Sequence, residues 1–316
     1  MRLKRSFLTL AQILVFLMGS ASMTTQSKAG AYPVEYKTIV VDGVQMFYRE
    51  AGPKEAPVIL LLHGFPSSSR MFAALMPLLA DTYHLIAPDY PGFGHSAAPS
   101  PATFAYTFDH LAACVAQLTD QLGVARYALY LQDYGGPVGF RLAVAHPERV
   151  TALIIQNAVV HLEGLSEAWT IRKAFWKDRA VHEDQLRQAL LSLEVARQRH
   201  TGGISNPERI DPDTWTEEFA FLTKPGMDRI QLELMFDYRT NVDAYPRWQA
   251  YLREHHPPTL VVWGKYDPLF TVAGALAFAR EVPEAEIHLL NAGHFALDEE
   301  VEMVAMLMQR FLARLC

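Results

Sequence analysis

The order of elements along this sequence predicts an α/β fold, a mostly parallel sheet with helices on both faces. Three observations carry the expectation. Short strand-like runs alternate with longer helical stretches, as in a parallel sheet built from crossover units. Several of the runs, Pro57 to Leu62 and Tyr127 to Leu131 among them, are continuously apolar and read as buried strands. One segment, from Ala158 to about His256, shows no convincing strand and reads as an all-helical insertion.

Taken in order, Lys37 to Val41 and Val44 to Glu50 read as two strands joined at Asp42-Gly43, a hairpin turn signal. Pro57 to Leu62 is a strand ending in His63-Gly64-Phe65-Pro66, and Ser67 to Leu79 reads as the next helix. Tyr83 to Ala87 is a strand, followed by a loop with repeated Gly and Pro from Pro88 to Ser96. Phe108 to Leu122 is a helix, Tyr127 to Leu131 a strand, Pro137 to Ala145 a helix and Val150 to Gln156 a strand. In the insertion, Trp169 to Lys177, His182 to Gln198, Thr214 to Leu222, Met227 to Phe236 and Tyr245 to Glu254 read as helices. Strands from Thr259 to Gly264 and Glu286 to Leu290 follow, separated by a helix near Val272 to Arg280, and a helix from Glu299 to Leu315 closes the chain. An insertion after a sheet strand would sit over the strands' carboxyl ends, where open α/β sheets bind ligands. The expected organisation is a core domain of residues 30–157 and 256–316 with a helical cap of residues 158–255.

Composition narrows the function. The chain has 316 residues, half of them hydrophobic, enough for one sizeable core with an insertion. Its net charge of −6, with no basic run, argues against a nucleic-acid partner. The two cysteines, Cys114 and Cys316, show no metal-ligand spacing and read as core filler and loose tail. At the start, Arg2, Lys4 and Arg5 precede an apolar run from Phe7 to Met18, followed by small residues with cleavage points after Ala21 or Ala29. This pattern predicts a signal peptide over residues 1–29 and a periplasmic or secreted protein, with no stable membrane insertion after cleavage. A true start at Met23 would instead leave the protein in the cytoplasm.

The chemistry centres on Gln132-Asp133-Tyr134-Gly135-Gly136. A strand, a tight turn and a helix with one reactive residue at the tip describe a nucleophile elbow. Asp before a helix also serves as an N-cap, so Asp133 alone decides nothing. Two further residues decide it: Asp267 in Gly264-Lys265-Tyr266-Asp267-Pro268 and His294 in Gly293-His294, each just after a strand. Nucleophile, acid and base in that chain order form a catalytic triad. A carboxylate is ionised at neutral pH and can attack a saturated carbon to form an ester. Phe65 and Tyr134 are expected to supply the two backbone N–H groups of an oxyanion hole, each worth about 3 kcal/mol of barrier in comparable cases. His63 reads as structural.

These motifs resemble the α/β-hydrolases with an aspartate nucleophile, the epoxide hydrolases and haloalkane dehalogenases, over nearly everything from about residue 35 to the end. The resemblance implies that Asp133 forms an alkyl-enzyme ester and that His294, oriented by Asp267, activates the water that hydrolyses it. Dehalogenases grip the leaving halide with a Trp after the nucleophile, and with an Asn in the first loop or a cap Trp. Here Tyr134 and Phe65 hold the first two places, and Trp176 in Phe175-Trp176-Lys177-Asp178 resembles the cap Trp. Haloacetate dehalogenases carry an Arg where this chain has Tyr134. Epoxide hydrolases share the His-Gly-Phe-Pro loop and protonate the opening ring with cap tyrosines; Tyr238, in Asp237-Tyr238-Arg239-Thr240-Asn241, resembles one of them. No Tyr lies between Tyr134 and Tyr238, leaving His161 or Trp176 as stand-ins for the second. The expectation is therefore an epoxide hydrolase, then a haloalkane dehalogenase, then a hydrolase-fold binding protein without turnover. The expected substrate is a small organic molecule of low to moderate polarity. No metal or organic cofactor is implied, since water and three side chains suffice, and the sequence leaves oligomeric state open.

Overall fold

The computed structural model describes residues 32–315. The expected signal segment and Cys316 lie outside the described residues. The sheet has eight strands: β1 (Glu35–Val41), β2 (Val44–Ala51), β3 (Val58–Leu62), β4 (His84–Pro88), β5 (Tyr127–Gln132), β6 (Val150–Gln156), β7 (Thr259–Gly264) and β8 (Glu286–Leu290). Their order is β1-β2-β4-β3-β5-β6-β7-β8. β2 pairs antiparallel with both its neighbours, and every pair from β4 to β8 is parallel. This is the α/β-hydrolase architecture.

The central strands are apolar throughout because both faces are covered. Alternate residues of a strand face opposite sides, and the core divides accordingly. Leu60, Leu62, Leu129, Leu131, Leu153 and Ile155 pack on one face with α2 (Phe108–Gln121) and α3 (Gly135–Ala145). Ile59, Leu61, Ala128, Tyr130 and Ile154 pack on the other, with α1 (Met76–Leu79) and α11 (Leu297–Leu312). α10 (Val272–Glu281) lies on the first face through Ala275 and Phe278.

Between β6 and β7 the chain is helical: α4 (Thr170–Lys177), α5 (Arg179–Leu190), α6 (Leu193–Thr201), α7 (Asp213–Leu222), α8 (Met227–Asp237) and α9 (Arg239–His255). Trp169, Phe175, Leu186, Leu234 and Tyr238 join this cap to the same apolar cluster as α2 and α3. Among the described residues, no helix is long and apolar enough to cross a membrane.

Local details depart from the sequence reading for identifiable reasons. The helix expected over 67–79 is a 3-10 turn, Ser69–Phe72, then the single turn α1, which begins beside Pro77. The helix expected over 182–198 is two helices, because Ser192 turns extended and its hydroxyl accepts from the N–H of Val195 to start α6. α9 begins at Arg239 rather than at Tyr245 and carries Pro246 within it. Tyr238 alone separates α8 from α9.

Candidate active site

The strand order reverses between β3 and β5, and the crevice beyond their carboxyl ends is where such sheets place a ligand. Asp133 follows β5 directly, at φ 46°, in the left-handed region that a side-chain-bearing residue seldom adopts. The turn is sharp because two glycines allow close approach. A Cβ on Gly135 would lie 2.1 Å from the Leu62 carbonyl oxygen, and one on Gly64 would lie 2.3 Å from the Asp133 Cβ.

The two carboxylate oxygens of Asp133 have different surroundings. The Phe65 N–H donates to Oδ1 at 2.8 Å, and the Tyr134 N–H also supports the carboxylate. Oδ2 lies 3.8 Å from His294 Nε2. Burial pushes the Asp133 carboxyl upward, while the His294 ring and the two N–H groups pull the other way without cancelling it. If Oδ2 attacks carbon, Oδ1 becomes the ester carbonyl oxygen, already seated against two donors. That is where negative charge would develop when water adds.

His294 is fully buried, with Nδ1 2.7 Å from Asp267 Oδ2. Burial disfavours the charged ring, but the Asp267 carboxylate and Asp133 outweigh it, and the net shift is upward. Asp267 is itself fixed: Asn157 Nδ2 donates to its Oδ2 at 2.8 Å and the Leu269 N–H to its Oδ1 at 2.7 Å. Asn157 also brackets the backbone of Gly264, accepting from its N–H and donating to its carbonyl. Gln132 Nε2 lies 3.1 Å from His294 Nε2, on the side of the ring away from Asp267. Sequence reasoning missed Asn157 and Gln132 as supports. Their only signal was position, one residue after β6 and one before the elbow tip.

His63 packs and hydrogen-bonds within the loops beside the elbow. It stacks on Tyr90, its Nδ1 donates to the Gly64 carbonyl at 3.0 Å, and its Nε2 accepts from the Tyr90 N–H. Burial pushes its pKa down, so it stays neutral.

Above the elbow lies an aromatic shell. Tyr238 is 1% exposed, with its ring centroid 5.8 Å from that of Tyr134, 4.6 Å from Trp169 and 6.0 Å from Trp176. Burial first, then Tyr245 and Asp133, holds the Tyr238 phenol well above its ordinary range, so it is protonated. The Tyr245 hydroxyl interacts with it and is otherwise without a partner. Tyr245 is thus the nearby second phenol, seven residues after Tyr238 rather than before it. Two expectations need correction. Trp176 Nε1 donates to the Met235 carbonyl at 2.7 Å, which engages the N–H expected to hold a halide. His161 Nε2 pairs with Glu281 at 3.0 Å and its ring meets Phe278, among residues of α10 rather than those around Asp133. Trp169 Nε1 is likewise taken, by the Leu269 carbonyl at 3.1 Å.

Two features elsewhere do not compete. A groove of about 700 Å³ lined by Asp109, Arg141 and Arg247 contains none of the residues around Asp133. Asp42, His110 and Cys114 bring ligand-type atoms within 4.8 Å of one another, away from the residues around Asp133, and burial pushes the Cys114 thiol up to about 12.

Known proteins similar to this chain include hydrolases of this fold. Residues 57–301 match the family model described as alpha/beta hydrolase fold. An uncharacterized hydrolase of Saccharomyces cerevisiae is 41% identical over 275 residues, covering 85% of this chain and 94% of its own. A haloalkane dehalogenase of Psychrobacter cryohalolentis is 26% identical over 277 residues, covering 85% and 88%. The solved structure of the epoxide hydrolase CorEH superposes with a TM-score of 0.72 at 21% identity, over 90% of this chain and 100% of that one, a likeness of fold. The chain belongs to the alpha/beta hydrolase fold family and is a hydrolase of that type.

Proposed function

We propose that this hydrolase opens epoxides through a covalent ester on Asp133. The observation that carries the reading is the contrast above the nucleophile. Tyr238 is buried and protonated, and it feels the Asp133 charge. The N–H groups of Trp176 and Trp169 are both spent on backbone carbonyls. An epoxide oxygen leaves as an alkoxide and needs a proton, which a phenol can supply; a halide needs only hydrogen-bond donors.

In this reading Asp133 Oδ2 attacks a ring carbon, the C–O bond breaks, and the oxygen takes the Tyr238 proton. His294 then removes a proton from water, which adds to the Asp133 Cγ. The tetrahedral oxyanion on Oδ1 is held by the N–H groups of Phe65 and Tyr134. Its collapse expels the alkyl oxygen, which takes the proton from His294, and the water's second proton, left on the Asp133 carboxyl, passes to the Tyr238 phenolate and restores both groups.

A panel of terminal epoxides and bromoalkanes tests the reading. Diol formation with bromoalkanes inert supports it, and bromide release with epoxides inert replaces it with dehalogenation. Adduct formation with neither class would leave a hydrolase-fold binding protein. Export belongs to the proposal too: the protein recovered from its host should begin near Ser22 or Gly30, and recovery of an intact Met1 or a start at Met23 would refute it.

A further inference from the structure

Two arginines of the cap are buried beside the active site and have no ion-pair partner among the described residues. Arg172, on α4, and Arg199, on α6, are each 6% exposed. Among the described residues, each makes a single hydrogen bond, and it is to a backbone carbonyl: Arg172 Nη1 to Ala168 and Arg199 Nη2 to Leu190. Arg199 Nη1 is buried with no acceptor.

Both guanidinium groups abut the catalytic shell. Arg199 lies over the ring of Phe65, 4.6 Å from its centroid, and the Phe65 N–H holds Asp133 Oδ1. Arg172 lies 4.9 Å from the ring of Trp169, which packs on Tyr238 and on Phe270, the neighbour of His294.

A buried guanidinium keeps its proton, so its charge must be met by another charge or by strong acceptors. The anions that act on Arg199 are Glu218 and Asp133; for Arg172 it is Asp133. Glu218 is already engaged by His200 at 2.9 Å. Ester formation would remove the Asp133 charge and leave two cations facing the intermediate. A planar fork with unused donors fits a carboxylate.

We propose that the natural substrate carries a carboxylate, held by Arg199 and Arg172 while Asp133 attacks a carbon nearby, so that these two arginines determine specificity. The inference deepens the proposed function and rests on Asp133 and its surroundings being the substrate site.

Binding and turnover test it separately. Butanoate, its amide and sodium bromide are titrated calorimetrically into the wild-type protein and into Asp133→Asn. Butanoate should bind at least tenfold more tightly than the amide. Its affinity should rise about tenfold in Asp133→Asn, where the competing carboxylate is gone. In wild-type turnover, 2,3-epoxybutanoate should exceed its amide about a hundredfold in kcat/KM. Arg199→Gln and, independently, Arg172→Gln should collapse that preference towards unity, and Arg199→Lys should restore part of it. Should a variant fail to fold, inhibition of wild-type turnover of a neutral epoxide by butanoate, and not by the amide, gives the same answer. No butanoate binding, equal use of acid and amide, or binding of bromide alone overturns the inference. Butanoate binding without turnover of any epoxide would sustain it while refuting the epoxide reading, so the two failures are distinct.

Discussion

His294 Nε2 stands 3.8 Å from Asp133 Oδ2, beyond hydrogen-bonding distance, while its Nδ1 is held at 2.7 Å by Asp267. In a serine triad the base must touch the nucleophile to take its proton. An aspartate has no proton to give, so the base is free to serve a water molecule instead. The separation matches a ring whose task begins after the ester has formed.

The first prediction follows from that division of labour. His294→Gln should still form the ester but fail to hydrolyse it, so intact mass spectrometry should show the protein gaining one substrate mass. The wild-type rate of ester breakdown should rise with pH, because the ring must be neutral to accept a proton. Burial disfavours the charged ring and the Asp267 carboxylate favours it, so the midpoint should fall in Asp267→Asn. A variant that neither accumulates adduct nor loses steady-state activity would remove His294 from the mechanism.

The second prediction concerns the leaving oxygen. Tyr238→Phe should slow ester formation from epoxides by roughly a hundredfold, the scale for losing a positioned general acid. Trp176→Phe should leave that step within a few-fold of wild type, because its N–H serves Met235. Rapid-quench measurement of adduct separates them; the opposite ranking would favour halide chemistry.

The fold and much of the candidate site were legible because they rest on local signals. The apolar run before Asp133, the glycines after it, and Asp267 and His294 just past their strands are features of short stretches of chain. The surroundings of the side chains were not legible. An arginine on an amphipathic cap helix reads as a solvated face, so nothing marked Arg172 or Arg199 as buried. Which way an indole N–H points depends on tertiary packing, so Trp176 could resemble a halide donor and yet donate to Met235. Tyr245 reads as one more aromatic on α9 until that helix's earlier start brings it beside Tyr238.

The third prediction concerns the junction of cap and core. His200, on α6, lies between Glu218 of the cap, at 2.9 Å, and Asp298 of the core, at 2.6 Å, and stacks on Phe295. Burial opposes its charge, but the two carboxylates outweigh it and lift its pKa to about 9. A folded pKa above the unfolded one contributes stability that is complete below about 6.5 and lost as pH rises through about 9. The difference in thermal midpoint between wild type and His200→Gln should therefore shrink from pH 6 to pH 10. A difference that stays constant or grows would show that the latch is not ionic.

The fourth prediction tests the seat of the acid and base. A Cβ on Gly264 would lie 1.8 Å from the Gly293 carbonyl oxygen, a backbone atom that cannot step aside cheaply. Gly264→Ala should displace the loops bearing Asp267 and His294, costing roughly 2 kcal/mol or more by strain and slowing ester hydrolysis more than ester formation. Wild-type stability and kinetics in this variant would contradict the packing described.

The central claim is that Asp133 is a covalent nucleophile, and one measurement addresses it directly. In a single turnover in heavy-oxygen water with enzyme in excess, water adds to the ester carbonyl, so the new oxygen should remain on the enzyme. Peptide mass spectrometry should then find one heavy oxygen on the peptide containing Asp133, and the diol should be unlabelled. Label in the diol alone, with the Asp133 peptide unlabelled, would mean that water attacks the substrate directly and that no ester forms.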